Sequence, residues 1–598
     1  MPQKKHYKPK YLLLSPGLLV LFAGLFLPML ILFGISFQTY VPGSGKPLNV
    51  FTVENYIRIL DPLYLKVFGR TFVISILATL IALVMGYPAA LLMARCRRMV
   101  KGLLLAVVLT PLLTNVVARN LGLMIIFGTH GPVNKLLGLL GIPPVKFVPG
   151  QLGIILSFAQ VFLPYMILSI NSVLENIDFN LQNAARNLGC SRFQAFRKVI
   201  FPLSTPGIVA GSLFVFLLSF SSLVTPQLLG GGMVQVMSML IQQQAMGLLN
   251  WPFAAALAFV LMVISLGLVT VYNRLTSRIE RMVDRGGVYR DFKAERRGRQ
   301  LIRDGLYAVN RALIGLPAPF LSRIKPEFSE TLSRGREIFG AVLYYAFTSL
   351  VFIFIILPLP VVIISSFGNS SMVSFPPEQL SLKWYRGLWE KREYITSMLL
   401  SLRISGFCVL VSLAIGTCTA LGLSRNRFRF PAMMKTAFLS PLMVPAVIIG
   451  IAIMRFVNIA GWRNPFWTIF TAHLLITVTY VTRTVLATLV GYNMTVEYAA
   501  RDLGAGPFYT FRKITLPLIK PSLIVSGIFA FIVSLDETTI TIFLTGGRTT
   551  TLPVRIFSVL GEQGLDSTVT VVSSILIVAA LTVLLVINKL IGLDKFKI

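Results

Sequence analysis

Apolar stretches almost free of charge alternate along this chain with short segments crowded with Lys and Arg. A helix that crosses a bilayer needs roughly 20 mostly apolar residues. Six stretches of that kind lie in the first half, at 11–37, 71–94, 102–127, 150–174, 206–228 and 253–272. Six more lie in the second half, at 339–367, 398–424, 434–457, 466–486, 521–544 and 568–587. The pattern predicts an all-α integral membrane protein with twelve transmembrane helices. The first stretch follows Lys4, Lys5, Lys8 and Lys10 as a secretory signal would. It is far longer than the roughly 7 to 15 residues of a signal-peptide core, so it reads as an uncleaved span.

Composition narrows the class further. Of 598 residues, 55% are hydrophobic and only 13% charged, whereas soluble domains carry about 25% charged residues and disordered chains pair high charge with low hydropathy. The formal net charge of +33 would suggest nucleic-acid binding on a soluble chain. Here the basic residues collect in alternate loops, as in Arg95/Arg97/Arg98/Lys101 and Arg425/Arg427/Arg429/Lys435, while the intervening loops are nearly bare. The positive-inside rule accounts for that distribution, predicts both termini on the cytoplasmic side, and leaves membrane lipid rather than nucleic acid as the surrounding partner. Cys96, Cys190, Cys408 and Cys418 have no C-x-x-C spacing and His6, His130 and His473 lie far apart, so no disulfide framework or metal site is expected.

The two halves repeat. Pro28, Ser36, Gly86, Arg95 and Pro111 recur 330 residues later as Pro358, Ser366, Gly416, Arg425 and Pro441. Beyond a longer segment at 131–149 the offset falls to 315, as for Gly189 and Gly504 or Pro202 and Pro517. Six spans per unit is even, so the units should insert as parallel repeats about an axis along the membrane normal. The expected organisation is a first unit at 1–273, a basic cytoplasmic linker at 274–337 and a second unit at 338–598. Within the linker, 301–314 has the composition of an amphipathic surface helix or of a solvated tether near anionic lipid.

Similarity between the halves is strongest in a polar loop, where lipid-facing composition cannot produce it by chance. Ala184-Ala185-Arg186-Asn187-Leu188-Gly189 matches Ala499-Ala500-Arg501-Asp502-Leu503-Gly504, and Phe193, Arg197 and Pro202 match Phe508, Arg512 and Pro517. Small Ala residues, a Gly for a tight turn and a Pro at the restart describe a short helix, a turn and a second helix, at about 183–206 and 498–521. A rigid element of this kind outside the bilayer suits the docking of a cytoplasmic partner.

These duplicated loops resemble the EAA motif of ATP-binding-cassette importer permeases. The halves are similar to the paired permease subunits of spermidine/putrescine importers through Gly86-Tyr87-Pro88, Pro111 to Asn115, Arg119-Asn120 and Asn250 to Phe253 in the first, and Lys383-Trp384-Tyr385, Ser534 to Glu537 and Leu552 to Ile556 in the second. The resemblance implies a type I importer permease in a bacterial inner membrane. It implies a periplasmic solute-binding protein and two copies of a cytoplasmic ATPase subunit as partners, with Ala184, Ala185, Arg186, Gly189, Ala499, Ala500, Arg501, Asp502 and Gly504 as coupling residues. ATP and Mg would be used by those subunits, because this chain has no G-x-x-x-x-G-K-[ST] phosphate loop, no cofactor motif and no catalytic constellation. Asn183 and Tyr498 stand where the motif favours Glu, and only the second copy keeps an acid, Asp502. The implied cargo is a small amine such as a polyamine. Fused relatives that carry aminoethylphosphonate, ferric iron or thiamine are the alternatives, with an ion-coupled secondary transporter behind them.

Ionisable groups inside spans cost about 2.5 to 3.5 kcal/mol and normally face protein or a wet cavity. Asp536 and Glu537 lie deep in the eleventh apolar stretch, with Ser221 and Ser222 as their counterparts by the 315 offset. Arg119 lies in the third. A continuous helix turns 100° per residue, so one acid is expected to line the pathway and the other to brace a neighbour or Arg119, with Asp536 the lining residue. His473 is expected to be a packed polar group, and Arg403 and Arg455 to snorkel.

Overall fold

The computed structural model describes residues 12–41, 48–284, 326–425, 431–462, 464–491, 493–546 and 549–591. The basic termini and most of the linker, including 301–314, lie outside them. Ten helices are long and apolar enough to cross a membrane, or twelve spans if each of two bent helix pairs counts as one. Apart from a short hairpin of Gln38–Thr39 with Leu48–Phe51, the regular elements among the described residues are helical.

Five of the expected spans are not continuous helices; the seventh is interrupted at Leu357, between Pro326–Ile356 and Pro358–Ser365. The third runs as Arg98–Leu113 and Val116–Leu139 with a 102° bend between them, and the ninth as Thr436–Leu442 and Ala446–Ile459 with a bend of 97°. At each bend a short 3₁₀ turn holds Pro111 or Pro441, and Asn115 or Pro445 then starts the next helix. Proline cannot donate to the preceding turn and Asn caps better than it continues a helix, so the chain stops and re-aims there. The fifth span, Arg192–Ser221, ends where 206–228 reads as unbroken, and a separate helix follows at Val224–Gly230. The eleventh, Pro507–Asp536, likewise gives way to Thr539–Leu544.

The repeat holds to the residue in its central part. Asn180–Asn187 and Thr495–Asp502 are equivalent surface helices, and Arg192–Ser221 and Pro507–Asp536 are equivalent spans. Both spans widen into a π turn, at Phe196–Ile200 and Phe511–Thr515, two residues before Pro202 and Pro517, as the first span does at Phe22–Phe26 before Pro28. The wider turn absorbs the missing N–H and the bulk of the proline ring without ending the helix.

The halves exchange their first spans. Leu14, Leu21 and Leu25 of the first span pack with Ile404, Cys408, Ile453 and Ile469 of the second half. Reciprocally, Val351, Phe352 and Ile355 of the seventh span pack with Ala82, Val108, Leu163 and Met166 of the first half. Tyr344 donates to the Pro88 carbonyl at 2.9 Å, and Gln160 donates to the Ile355 carbonyl at 2.8 Å. Gly122 permits a close approach of the two backbones: a Cβ there would lie 2.5 Å from the Pro358 carbonyl oxygen.

This exchange predicts that the peptide connection between the halves is not what holds them together. A protease site inserted near residue 305 and cleaved after purification should leave both fragments co-eluting in mild detergent. Separation of the fragments on size exclusion would show that the exchanged spans do not suffice.

Candidate transport pathway and docking loops

Each surface helix ends in the same left-handed turn. Gly189 has φ +90° and Gly504 φ +87°. The N–H of Cys190 donates to the Ala185 carbonyl and that of Gly189 to the Arg186 carbonyl, and the same pair of bonds runs from Ala505 to Ala500 and from Gly504 to Arg501. This is a Schellman cap, which satisfies helix-end carbonyls that would otherwise be orphaned. Nothing lies within 4 Å of where a Cβ would stand at either glycine. The requirement for glycine is the backbone angle. In the first copy Ser191 and Gln194 close a capping box that starts the second helix, whereas Pro507 opens it in the second copy.

The turns place Leu188 and Leu503 at the tips, 87% and 90% exposed. Ala184, Arg186, Ala499, Arg501 and Asp502 face solvent, and Ala185 and Ala500 are half-buried. Sequence reasoning passed over the two leucines because an apolar residue in a loop carries no signal until its exposure is known. The two exposed leucines occupy equivalent positions in the two repeats.

Inside the bundle, the polar side chains gather at the breaks in the spans. Asn115 Oδ1 accepts the N–H groups of Val117 and Ala118 at 2.8 and 3.2 Å, and Asp536 Oδ1, from the other half, accepts that of Val116 at 3.1 Å. The first three N–H groups of the re-aimed helix are thus satisfied by one cap from its own half and one carboxylate from across the join. Arg119 follows on that helix, 6% exposed; it donates to the Val161 carbonyl at 3.4 Å and lies within electrostatic range of Asp536 and Tyr165. Asp536 thus ties its span to the re-aimed helix of the other half, and both it and Glu537 are half-buried. The 100° phase argument does not carry across this point, because Asp536 is the last helical residue and Glu537 is already extended. Glu537 Oε1 accepts from Ile540 N–H at 2.7 Å, so it caps the helix beyond the break.

The counterparts Ser221 and Ser222 carry no such charge. Ser221 returns its hydroxyl to the Leu217 carbonyl, and the Ser222 carbonyl accepts from Ser238. Each break is also tied to the preceding span by a buried polar bridge, with different chemistry in the two halves. His473 uses both ring nitrogens, on Ser534 Oγ at 2.9 Å and Thr541 Oγ1 at 2.8 Å, one on each side of the break. Asn120 does the equivalent work with Thr225 and Ser157. His473 is a structural group whose nitrogens are both engaged. Arg455, expected to snorkel, instead lies 5.6 Å from the centroid of the Trp251 ring of the first half.

Two residues that the sequence reading left out complete this region. Tyr165 and Tyr480 are equivalent by the 315 offset and lie within electrostatic range of each other. Tyr165 also neighbours Arg119 and Asp536, and Tyr480 neighbours Glu537 and Arg483. Tyr165 keeps 37% of its surface exposed although it lies within a span. Their matching positions were legible, but tyrosine in a span reads equally well as an interfacial anchor.

Residues 86–281, and again 412–592, match the family described as binding-protein-dependent transport system inner membrane component. The chain belongs to that family. It is thus a multi-pass permease component of an inner membrane, with the family domain present twice. The spermidine/putrescine transport system permease protein PotB of Escherichia coli (strain K12) is 36% identical over 270 residues, covering 45% of this chain and 97% of that protein. Its PotC counterpart from the same organism is 29% identical over 258 residues, covering 43% and 97%. Both extents are consistent with a fusion of two permease subunits. A solved bacterial alginate ABC transporter, in complex with an alginate pentasaccharide-bound periplasmic protein, is 18% identical with a TM-score of 0.38, over 45% of this chain and 94% of that one.

For this permease, Asp536→Leu should destabilise the purified chain by about 3 kcal/mol, because the buried Arg119 loses a nearby carboxylate and the Val116 N–H its acceptor. Asp536→Asn keeps an acceptor and should fall between Leu and wild type. Thermal unfolding in one detergent measures both, and a Leu variant as stable as wild type would remove that tie.

Proposed function

We propose that this chain is the entire membrane pathway of a type I ATP-binding-cassette importer for polyamines. A separate periplasmic protein delivers the cargo, and two copies of a cytoplasmic ATPase subunit dock on the two surface loops. Both termini and both loops face the cytoplasm, and the two six-span repeats insert in parallel, as the basic loops require. The chain supplies neither nucleotide site nor cofactor; ATP and Mg belong to the ATPase subunits.

The observation that carries the cargo assignment is the pairing of Tyr165, Tyr480 and Glu537 at the join of the halves. Arg119 lies near Asp536, while the half-buried Glu537 carboxylate lies within electrostatic range of Tyr480, which also neighbours Tyr165 and Arg483. Aromatic faces and a carboxylate together recognise an organic ammonium group. The PotB and PotC relatives are named for spermidine and putrescine, which are such cations. Ser221 and Ser222 contribute polarity without charge, so the lining is one-sided. Aminoethylphosphonate, ferric iron and thiamine have no comparable observation in their favour, and membership of a binding-protein-dependent family weighs against an ion-coupled carrier.

With the binding protein and ATPase in proteoliposomes, uptake of labelled putrescine should require ATP and should saturate. Glu537→Gln keeps the cap on Ile540 but removes the charge, so it should lower uptake about tenfold, equivalent to about 1.4 kcal/mol, at unchanged thermal stability. Wild-type uptake in that variant would remove Glu537 from the path, and failure to take up any polyamine would remove the cargo.

Gly504→Leu should permit ATP hydrolysis while suppressing uptake, since a left-handed turn costs a β-carbon residue roughly 1–2 kcal/mol. Gly504→Asn should retain most of the coupling, because Asn tolerates that conformation. Equal behaviour of the two variants would show that the turn is not what couples.

A further inference from the structure

The second surface helix carries an acid that the motif does not account for. Glu497 is 1% exposed, on a helix whose other residues are exposed or half-buried. Its carboxylate forms an ion pair with the guanidinium of Arg425, the last residue of the eighth span. It also accepts from Thr515 Oγ1 at 2.6 Å, in the π turn that opens into the eleventh span. Arg425 closes the triangle by donating to the same Thr515 oxygen at 3.2 Å. One side chain from the surface helix is thus fastened to two spans at once.

The repeat shows what the first half has instead. Arg425 corresponds to Arg95, Glu497 to Gln182 and Thr515 to Ile200. Arg95 donates to Gln182 Oε1 at 2.6 Å in an exposed setting, and its guanidinium lies 4.8 Å from the centroid of the Phe179 ring. The geometry is conserved between the halves, but the acceptor is neutral and the third corner is an aliphatic side chain without a hydroxyl. A buried carboxylate persists only where its partners hold it, so breaking any corner of the second triangle is far more costly than breaking the first contact. Charge-assisted bonds are also about twice as strong as neutral ones.

We propose that Arg425, Glu497 and Thr515 form a stiff strut through which the second surface helix moves the eighth and eleventh spans, and that the Arg95–Gln182 contact of the first half transmits with slack. The two docking loops then drive the pathway unequally, the second being the principal arm. The transmission half of this proposal rests on reading the loops as ATPase-docking sites. The three residues are positioning residues, since none touches nucleotide or cargo.

The test compares Glu497→Gln, which reproduces the first-half contact in the second, with the double variant Gln182→Glu/Ile200→Thr, which builds the triangle in the first. Amide hydrogen exchange over 180–187 and 495–502 in the full chain needs neither partner nor cargo. Glu497→Gln should raise exchange in 495–502 roughly tenfold, the weight of one charge-assisted hydrogen bond, and the double variant should slow exchange in 180–187. In the assembled complex, Glu497→Gln should lower putrescine carried per ATP hydrolysed while the ATPase still copurifies in wild-type amount. Exchanging the charges, with Arg425→Glu and Glu497→Arg together, should restore part of both readouts. Unchanged exchange in Glu497→Gln overturns the strut. Altered exchange with an unchanged ratio of transport to hydrolysis overturns its role in transmission. Failure of the wild-type chain to copurify an ATPase overturns the docking reading and the transmission half with it, while the exchange result still decides the strut.

Discussion

A bilayer offers no water to a broken helix, so every interruption of a span must find its hydrogen-bond partners inside the protein. Most of the polar chemistry inside this permease follows from that constraint. The third span breaks and Asn115 and Asp536 supply acceptors; the eleventh breaks and Glu537 caps the continuation while His473 bridges both sides.

The duplication supplies two copies of each break, and the copies have diverged in charge rather than in shape. Ser221 stands for Asp536, Phe158 for His473, Gln182 for Glu497, while the helices that end at Ser221 and Asp536 coincide residue for residue. Shape is conserved because the exchanged first spans pack each half into the other, and a helix displaced in one half would open voids in both. A single polar side chain is freer to change wherever the partner atoms change with it. Fusion into one polypeptide places both versions in every assembled molecule, so the differences become a built-in asymmetry of the transporter.

How far the sequence reading reached differs by residue. The helix–turn–helix of the docking loops was legible because Ala, Gly and Pro act locally: Gly189 and Gly504 take positive φ whatever surrounds them. The space beside both glycines is open, so the backbone angle alone sets the requirement. The roles of Asp536 and Glu537 were assigned by continuing a helix through a position where it stops. Glu497 was missed for the converse reason: on a short polar helix nothing in the local sequence announces that one residue in eight is buried against two spans.

By itself the sequence determined what depends on composition, period and local backbone preference: the apolar segments, the duplicated unit with its two offsets, the loop motif and the family that it announces. These are properties of a residue and its near neighbours, and the bilayer amplifies them because roughly 20 apolar residues have few alternatives to spanning it. The tertiary structure alone decided where the spans break, which half each first span packs against, and which backbone N–H each acid caps. Those outcomes depend on partners hundreds of residues away, such as Val116 for Asp536 or Arg425 for Glu497. A buried polar group takes its role from whatever atom meets it, and that meeting is arranged by packing rather than by sequence order.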